Sequence, residues 1–289
     1  MGQIIGANYL LLGSSRSGKS HYGYNHLFRK QPPALYIDPK NTDTYLREAA
    51  VQADCDGFYS VDWLKNREPV PYYILRGHPQ YDLDAEVQKA LEWVINSRVR
   101  NPNAPQNMIV VDEAGRFMSK MKNNIPALQR LICEGRGYGV STVLIAQSPV
   151  YVPNDLIQNM NYLMVWPSVD QFGVCHGLAP LTLEYWERHT ARELSETSRQ
   201  WTQQKYHGLM TDFTETYLIR PDGSLVRPTG QEVEHGEKGS GEQESVLPVS
   251  GDECPADKSS EGSEDKSAGG DSAGQGTALK GAIDNTKEQ

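Results

Sequence analysis

The 289-residue sequence predicts an α/β fold, a central, mostly parallel sheet flanked by helices, and three observations predict it. Short apolar runs alternate with helix-patterned stretches, as in a parallel sheet covered on both faces. A glycine-rich octapeptide, Gly-Ser-Ser-Arg-Ser-Gly-Lys-Ser at 13–20, separates the first apolar run from the first helical pattern. An Asp-Glu pair at 112–113 ends another apolar run.

Strands are expected over 9–12, 34–38, 72–75, 108–111, 140–146 and 162–166. A helix is expected over 22–29, directly after the octapeptide. Between the third and fourth strands, Leu83, Val87, Leu91, Val94 and Ile95 recur at helical spacing and define an amphipathic helix. A further helix is expected over 125–133. Near the end of the body, Pro221-Asp222-Gly223 lies between Tyr-Leu-Ile-Arg and Leu-Val-Arg, which signals a hairpin near 214–227. No internal repeat is present.

Composition divides the chain into a body, 1–228, and a tail, 229–289. The tail holds 14 of the 37 acidic residues against 5 Lys and no Arg, so it carries the whole net charge of −9 and the body is neutral. Rich in Gly, Ser and Glu, the tail cannot bury enough apolar surface to offset its ordering entropy and is expected to be disordered. It reads either as a solubilising arm or as an acidic arm that docks on a basic partner. A neutral body does not announce nucleic-acid binding by charge, yet it leaves room for a local patch. Cys55, Cys133, Cys175 and Cys254 are scattered without metal-ligand spacing and read as free thiols. No apolar stretch approaches the roughly 18–20 residues of a membrane span, and a cytoplasmic setting is expected.

The octapeptide has the chemistry of a phosphate loop. Gly13 and Gly18 let the backbone fold so that N–H groups of Gly13, Ser14, Ser15, Arg16, Ser17 and Gly18 converge on phosphate oxygens, helped by the helix N-terminus. Lys19 is placed to neutralise the β and γ phosphates of ATP, and Ser20 to ligate Mg2+. The metal needs a second anchor at the end of another strand, and Asp112 fits. Glu113 is then the candidate general base that orients and polarises the attacking water.

A Glu directly after the metal-binding Asp, with strands before and after it, resembles the RecA-like, additional-strand branch of P-loop NTPases. In that resemblance the strand at 140–146 carries Gln147 at its tip, placed to sense the γ phosphate. Three further segments resemble the FtsK/HerA superfamily, and within it the genome-packaging ATPases of double-stranded DNA viruses with an internal membrane. Ala34-Leu-Tyr-Ile-Asp38-Pro-Lys40 is similar to its second-strand signature, which adds Asp38 and Lys40 to the phosphate site. Glu134-Gly-Arg136-Gly-Tyr-Gly-Val140, leading to Ala146-Gln147-Ser148-Pro149, is similar to its Arg-containing turn and sensor strand. Tyr151-Val-Pro-Asn-Asp-Leu-Ile157, followed by Asn161, is similar to the approach to its last core strand.

The resemblance implies a homo-oligomeric ring, hexameric as a rule, that grips double-stranded DNA and translocates it by ATP hydrolysis. It implies an arginine finger from a neighbouring subunit, for which Arg136 is favoured because its Gly-rich turn would present it openly, with Arg130 as the alternative. It also implies capsid-vertex or membrane proteins of a virion as partners, and the host cytoplasm or a packaging vertex as location. Arg116, Lys120 and Lys122 form either a channel-facing basic stretch or a solvated helix face. Residues 169–206 form either a docking surface or the cover of the sheet. The rival readings are a nucleotide-gated binding protein, a DNA-export ATPase of the filamentous-phage type, which normally has a transmembrane helix, and a small-molecule kinase.

Overall fold

Strand β1 (Asn8–Leu12) opens a computed structural model that describes residues 6–101, 107–118, 125–229 and 232–233. After the glycine-rich loop, helix α1 (Lys19–Tyr22) runs on through a π-helical turn and a 3-10 turn to Lys30. The expected helix over 22–29 is thus present, but wound irregularly.

There follow β2 (Ala34–Asp38), α2 (Thr44–Ala49), β3 (Cys55–Phe58), β4 (Tyr72–Arg76), α3 (Leu83–Arg100) and β5 (Asn107–Val111). Next come α4 (Gly115–Met118), α5 (Pro126–Glu134), β6 (Val140–Ala146), α6 (Asn154–Ile157), β7 (Tyr162–Val165), α7 (Pro180–Thr190) and α8 (Glu196–Trp201). The last strands are β8 (Gly208–Thr211), β9 (Thr216–Ile219), β10 (Leu225–Val226) and β11 (Glu232–Val233).

All eleven strands form one sheet in the order β11-β10-β9-β8-β7-β1-β6-β5-β2-β4-β3. From β7 to β3 every pairing is parallel, and from β7 to β11 every pairing is antiparallel. The six expected strands are β1, β2, β4, β5, β6 and β7. Three strands went unforeseen, β3, whose Cys-Asp-Gly-Phe has no apolar run, and the short β8 and β11, as did helices α2, α4, α6, α7 and α8. The hairpin expected near 214–227 is β9 and β10, joined by Pro221-Asp222-Gly223. Backbone pairing then reaches Glu232–Val233, past the boundary expected at 228. The rest of the tail, with Cys254, lies outside the described residues.

Side chains on the central strands alternate between two buried layers, as the two-residue period of a strand requires. Leu10 and Leu12 face the layer containing α3 and α5, where Val87, Leu91, Leu128 and Leu131 pack. Leu11 faces the other layer, with Tyr22, Phe28 and Tyr36. Ile109 and Val111 against Met108 and Val110, and Leu144 against Val143 and Ile145, repeat the division. Each fully buried Leu or Ile contributes about 1.5–3 kcal/mol, which is why these continuous apolar runs become central strands. Asp82 fixes the start of α3, its Oδ1 accepting the N–H groups of Asp84 and Ala85 at 3.1 and 3.3 Å.

Register decides what meets at the rim. Leu12 is paired with Ala146, Val111 with Leu144, and Ile37 with Val111, so β1, β6, β5 and β2 end side by side. The segments that follow them, 13–20, 147–148, 112–113 and 39–41, therefore share the carboxyl edge of the sheet, where α/β folds place their ligands.

Candidate nucleotide site

The loop at 13–20 bends through backbone that side chains avoid. Gly13 has φ +151° and Gly18 φ +105°, and a Cβ on Gly13 would stand 2.9 Å from the Trp166 carbonyl oxygen. Arg16 adopts φ +64° without being glycine. Lys19 is buried and turns its Nζ back to the Ser14 carbonyl oxygen at 2.6 Å. Burial pulls its amine down to about 8, although Asp112 and Glu113 draw it upward. The Ser17 hydroxyl is buried without a hydrogen-bond partner.

Asp112 is buried at the end of β5. Its Oδ2 accepts the Tyr36 hydroxyl at 3.0 Å, its Oδ1 accepts the Glu113 N–H at 2.8 Å, and Ser20 also bonds to the carboxylate. Burial pushes this carboxyl up, and those three hydrogen bonds and Lys19 pull it down. Ser20 and Asp112 thus meet as two hard oxygen donors beside the phosphate loop, a set that suits magnesium.

Glu113 sits at φ +48°, another non-glycine residue in the left-handed region. Its Oε1 accepts Gln147 Nε2 at 2.7 Å and is also bonded by Lys40 Nζ. Burial alone would raise the carboxyl, but Lys40 and Gln147 outweigh it and hold Glu113 below the ordinary range. It is an ionised carboxylate at neutral pH, the form a general base needs.

Asp38 was expected to bind nucleotide. Its carboxylate is buried at the wall of the same cavity as Lys40, and its Oδ1 accepts the Asn41 N–H at 3.0 Å. It caps the turn that carries Lys40. Both residues line the site, and Asp38 also positions Lys40.

Arg136 and Arg130 do not join this cluster within one chain. Arg136 lies before β6 and Gln147 after it, so they are at opposite ends of a seven-residue strand, roughly 20 Å apart. The Gly-rich turn does not present Arg136 openly either, because its Nε donates to the Gly6 carbonyl oxygen at 3.2 Å. Arg130 pairs with Glu134 at 2.9 Å on the exposed side of α5. Any contact of either with a phosphate requires a second copy. Arg116 pairs with Asp84 at 3.5 Å and covers the Phe117 ring, while Lys120 and Lys122 lie outside the described residues.

Lys19, Ser20, Asp38, Lys40, Asp112, Glu113 and Gln147 all line one cavity of about 600 Å3. Its remaining wall includes Val169, Phe172, Lys205 and Tyr206, from the stretch that the sequence left undecided. That stretch is tied to the phosphate loop: the Val169 N–H donates to Ser14 Oγ at 2.9 Å, and Arg16 Nη1 donates to the Gln171 carbonyl oxygen at 3.1 Å. The available signal was Asp170-Gln-Phe-Gly173, a turn sequence holding out an aromatic residue. Tyr36, two residues before Asp38 on the same strand face, was also missed.

A phosphate loop after β1, an acidic pair after β5 and a strand, β6, inserted between them define the additional-strand class of P-loop ATPase fold. The chain adopts that fold. It resembles the genome-packaging NTPase B204 of Sulfolobus turreted icosahedral virus 2, solved in complex with AMPPCP, with a TM-score of 0.52 over 75% of this chain and 98% of that one at 14% identity. It resembles VirB4 of Thermoanaerobacter pseudethanolicus as well, with a TM-score of 0.52 over 76% of this chain and 90% of that one at 13% identity. No family model and no curated protein matches the sequence. Among the described residues no helix is long and apolar enough to cross a membrane.

Proposed function

We propose that this chain is an ATP-hydrolysing motor that translocates double-stranded DNA, working as a homo-oligomeric ring, most simply a hexamer, to package a viral genome into a preformed capsid. The observation that carries hydrolysis is the Glu113 carboxylate, held between Lys40 and Gln147 beside the phosphate loop. A protein that only senses nucleotide has no need of an ionised base there. The likeness of fold to B204, a genome-packaging NTPase, supports the packaging reading.

In this reading the loop N–H groups and Lys19 cradle the triphosphate, and its arrival gives Lys40 a stronger anionic partner than Glu113. Magnesium, held by Ser20 and Asp112, would neutralise charge on the phosphates. Glu113 then takes a proton from water as the water oxygen bonds the γ phosphorus, the bridging P–O bond breaks, and ADP leaves with phosphate. Gln147 reports the presence of the γ phosphate through the same carboxylate. A neighbouring copy supplies an arginine, Arg136 or Arg130, and the motor works in the host cytoplasm at a packaging vertex beside capsid or membrane proteins.

ATP turnover measured with and without duplex DNA, together with mass in solution with nucleotide, tests the reading. Turnover that rises with DNA in an oligomer is expected. A monomer indifferent to DNA overturns the motor and favours a nucleotide-gated binding protein.

A further inference from the structure

The cavity that holds the phosphate loop and the acidic pair is also lined by two aromatic side chains, Phe172 and Tyr206. We propose that its aromatic wall is a base-binding clamp, in which Phe172 and Tyr206 hold the nucleobase of the nucleotide whose phosphates lie in the 13–20 loop. The clamp rests on the phosphate-site reading above and assigns the rest of the ligand.

Phe172 is 82% exposed, an unusual state for a large aromatic ring that borders a cavity. It is nonetheless held in place. Val169 and Cys175 pair antiparallel to close a small hairpin, and Asp170 Oδ1 accepts the N–H groups of Phe172 and Val174, each at 2.9 Å. The other Asp170 oxygen lies 3.1 Å from His176 Nε2. Because Val169 and Gln171 are bonded to Ser14 and Arg16, the hairpin and the phosphate loop keep a fixed separation. The backbone that carries the ring is therefore held in a fixed place beside the phosphate loop.

Tyr206 stands in the turn before β8, at φ +66°, a conformation that a residue with a Cβ adopts only when its surroundings impose it. Its ring edge lies 3.2 Å from where a Cβ on Gly18 would be, against the phosphate loop itself. Lys205 Nζ lies 5.0 Å from the centre of that ring and 3.4 Å from the corresponding point on Gly173. The lysine thus spans from the Tyr206 ring to the tip of the hairpin, where a base with acceptor atoms can displace it from the ring. Preformed aromatic surfaces tolerate any base, because every base has a π face.

Calorimetric titration of the full chain with MgATP and with inorganic tripolyphosphate separates the clamp from the phosphate site. The wild-type chain is expected to bind ATP more tightly than tripolyphosphate. Phe172→Ala, at a position too exposed to disturb folding, is expected to weaken ATP about tenfold and leave tripolyphosphate unchanged. Tyr206→Leu should act in the same sense, and Phe172→Trp should restore ATP binding with indole fluorescence quenched by ATP and not by tripolyphosphate. The clamp is overturned if Phe172→Ala binds ATP as the wild type does, including the case where only the oligomer mass changes and the ring is a subunit contact. It is also overturned if both ligands weaken equally, which would make the hairpin a support for the phosphate loop. A wild-type chain that binds neither ligand overturns the phosphate-site reading itself.

Discussion

The parallel strands β7 to β3 and the antiparallel strands β8 to β11 belong to one sheet but finish their ends in opposite ways. Turns in the antiparallel part satisfy themselves. Asp212 Oδ1 accepts the N–H groups of Thr214 and Glu215, and Asp222 Oδ1 accepts the N–H and hydroxyl of Ser224. The parallel part ends at a rim where Arg16 and Glu113 hold left-handed backbone, and Lys19, Asp38 and Asp112 are buried charges. Left-handed backbone occurs in both parts, at Phe213 in the antiparallel turn as at Arg16 and Glu113, so what sets the parallel rim apart is its cluster of buried charges, and such clusters mark chemistry. Substitutions in the parallel rim should therefore act on turnover first, and those elsewhere on stability first.

The largest effect expected is on turnover at Glu113. Glu113→Gln keeps the shape and the Gln147 contact but cannot accept a proton, so turnover should fall by about 10²–10⁴-fold while ATP binding survives. Single-turnover hydrolysis and a separate ATP titration check it. Unchanged turnover would break the contrast at its strongest point, because the strained carboxylate would then be structural.

Next in size is the seam between the two parts. Trp166 is buried directly after β7, donating its N–H to the Leu12 carbonyl oxygen at 2.8 Å and packing on Tyr22 at 5.2 Å between ring centres. Gly208, at the start of β8, comes so close that a Cβ there would stand 2.9 Å from the indole. Trp166→Ala is expected to cost about 3–5 kcal/mol in urea unfolding, as other large-to-small core changes do. A single cooperative transition with both parts lost together is the expected form; two separated transitions would mean that the antiparallel part folds on its own.

The contrast also explains what was legible in sequence. Leu10–Leu12, Met108–Val111 and Val140–Ala146 are buried on both sheet faces, so they read as unbroken apolar runs, and the residues after them could be assigned to one rim. Phe172 and Tyr206 reach the cavity only through tertiary packing of two loops, which no periodicity encodes. Arg136 is a different case, expected only as a finger from a neighbouring copy. In a parallel sheet the residue before a strand and the residue after it lie on opposite rims, so the positions of Arg136 and Gln147 around β6 already held the answer. The order of the strands, with β3 outermost and β8 beside β7, followed from pairings that short segments do not announce.

Smaller again is a stability effect at the rim whose sign can be worked out. Burial pushes the Asp38 carboxyl up to about 6, against an ordinary 3.8, despite the Asn41 N–H, and Asp112 adds to the rise. Between those two values the folded chain binds more protons than the unfolded one, so stability falls as pH rises through the window. The cost is absent below about pH 4 and complete above about pH 6, where two pKa units amount to about 3 kcal/mol. Asp38→Asn is therefore expected to raise unfolding free energy by roughly 2–3 kcal/mol at pH 8 and by little at pH 4. A gain that persists at pH 4 would show that repacking, not charge, is responsible.

The smallest stability effect belongs to Arg130, and its smallness makes it useful. Its partner Glu134 is one helical turn away, both side chains are about half exposed, at 47% and 51%, and such pairs hold little of a fold together. Arg130→Ala should leave the melting temperature unchanged within error. Arg136 is less clean, because its Nε holds the Gly6 carbonyl beside the start of β6, and its removal disturbs that contact as well. If a neighbouring copy uses Arg130 as its finger, the Arg130→Ala chain folds and binds ATP normally but loses turnover. Mixing it with the Glu113→Gln chain should then recover activity, since some interfaces regain an intact Glu113 facing an intact Arg130. No recovery, with turnover already normal in Arg130→Ala alone, would remove Arg130 from the site and leave Arg136 as the candidate on the opposite rim.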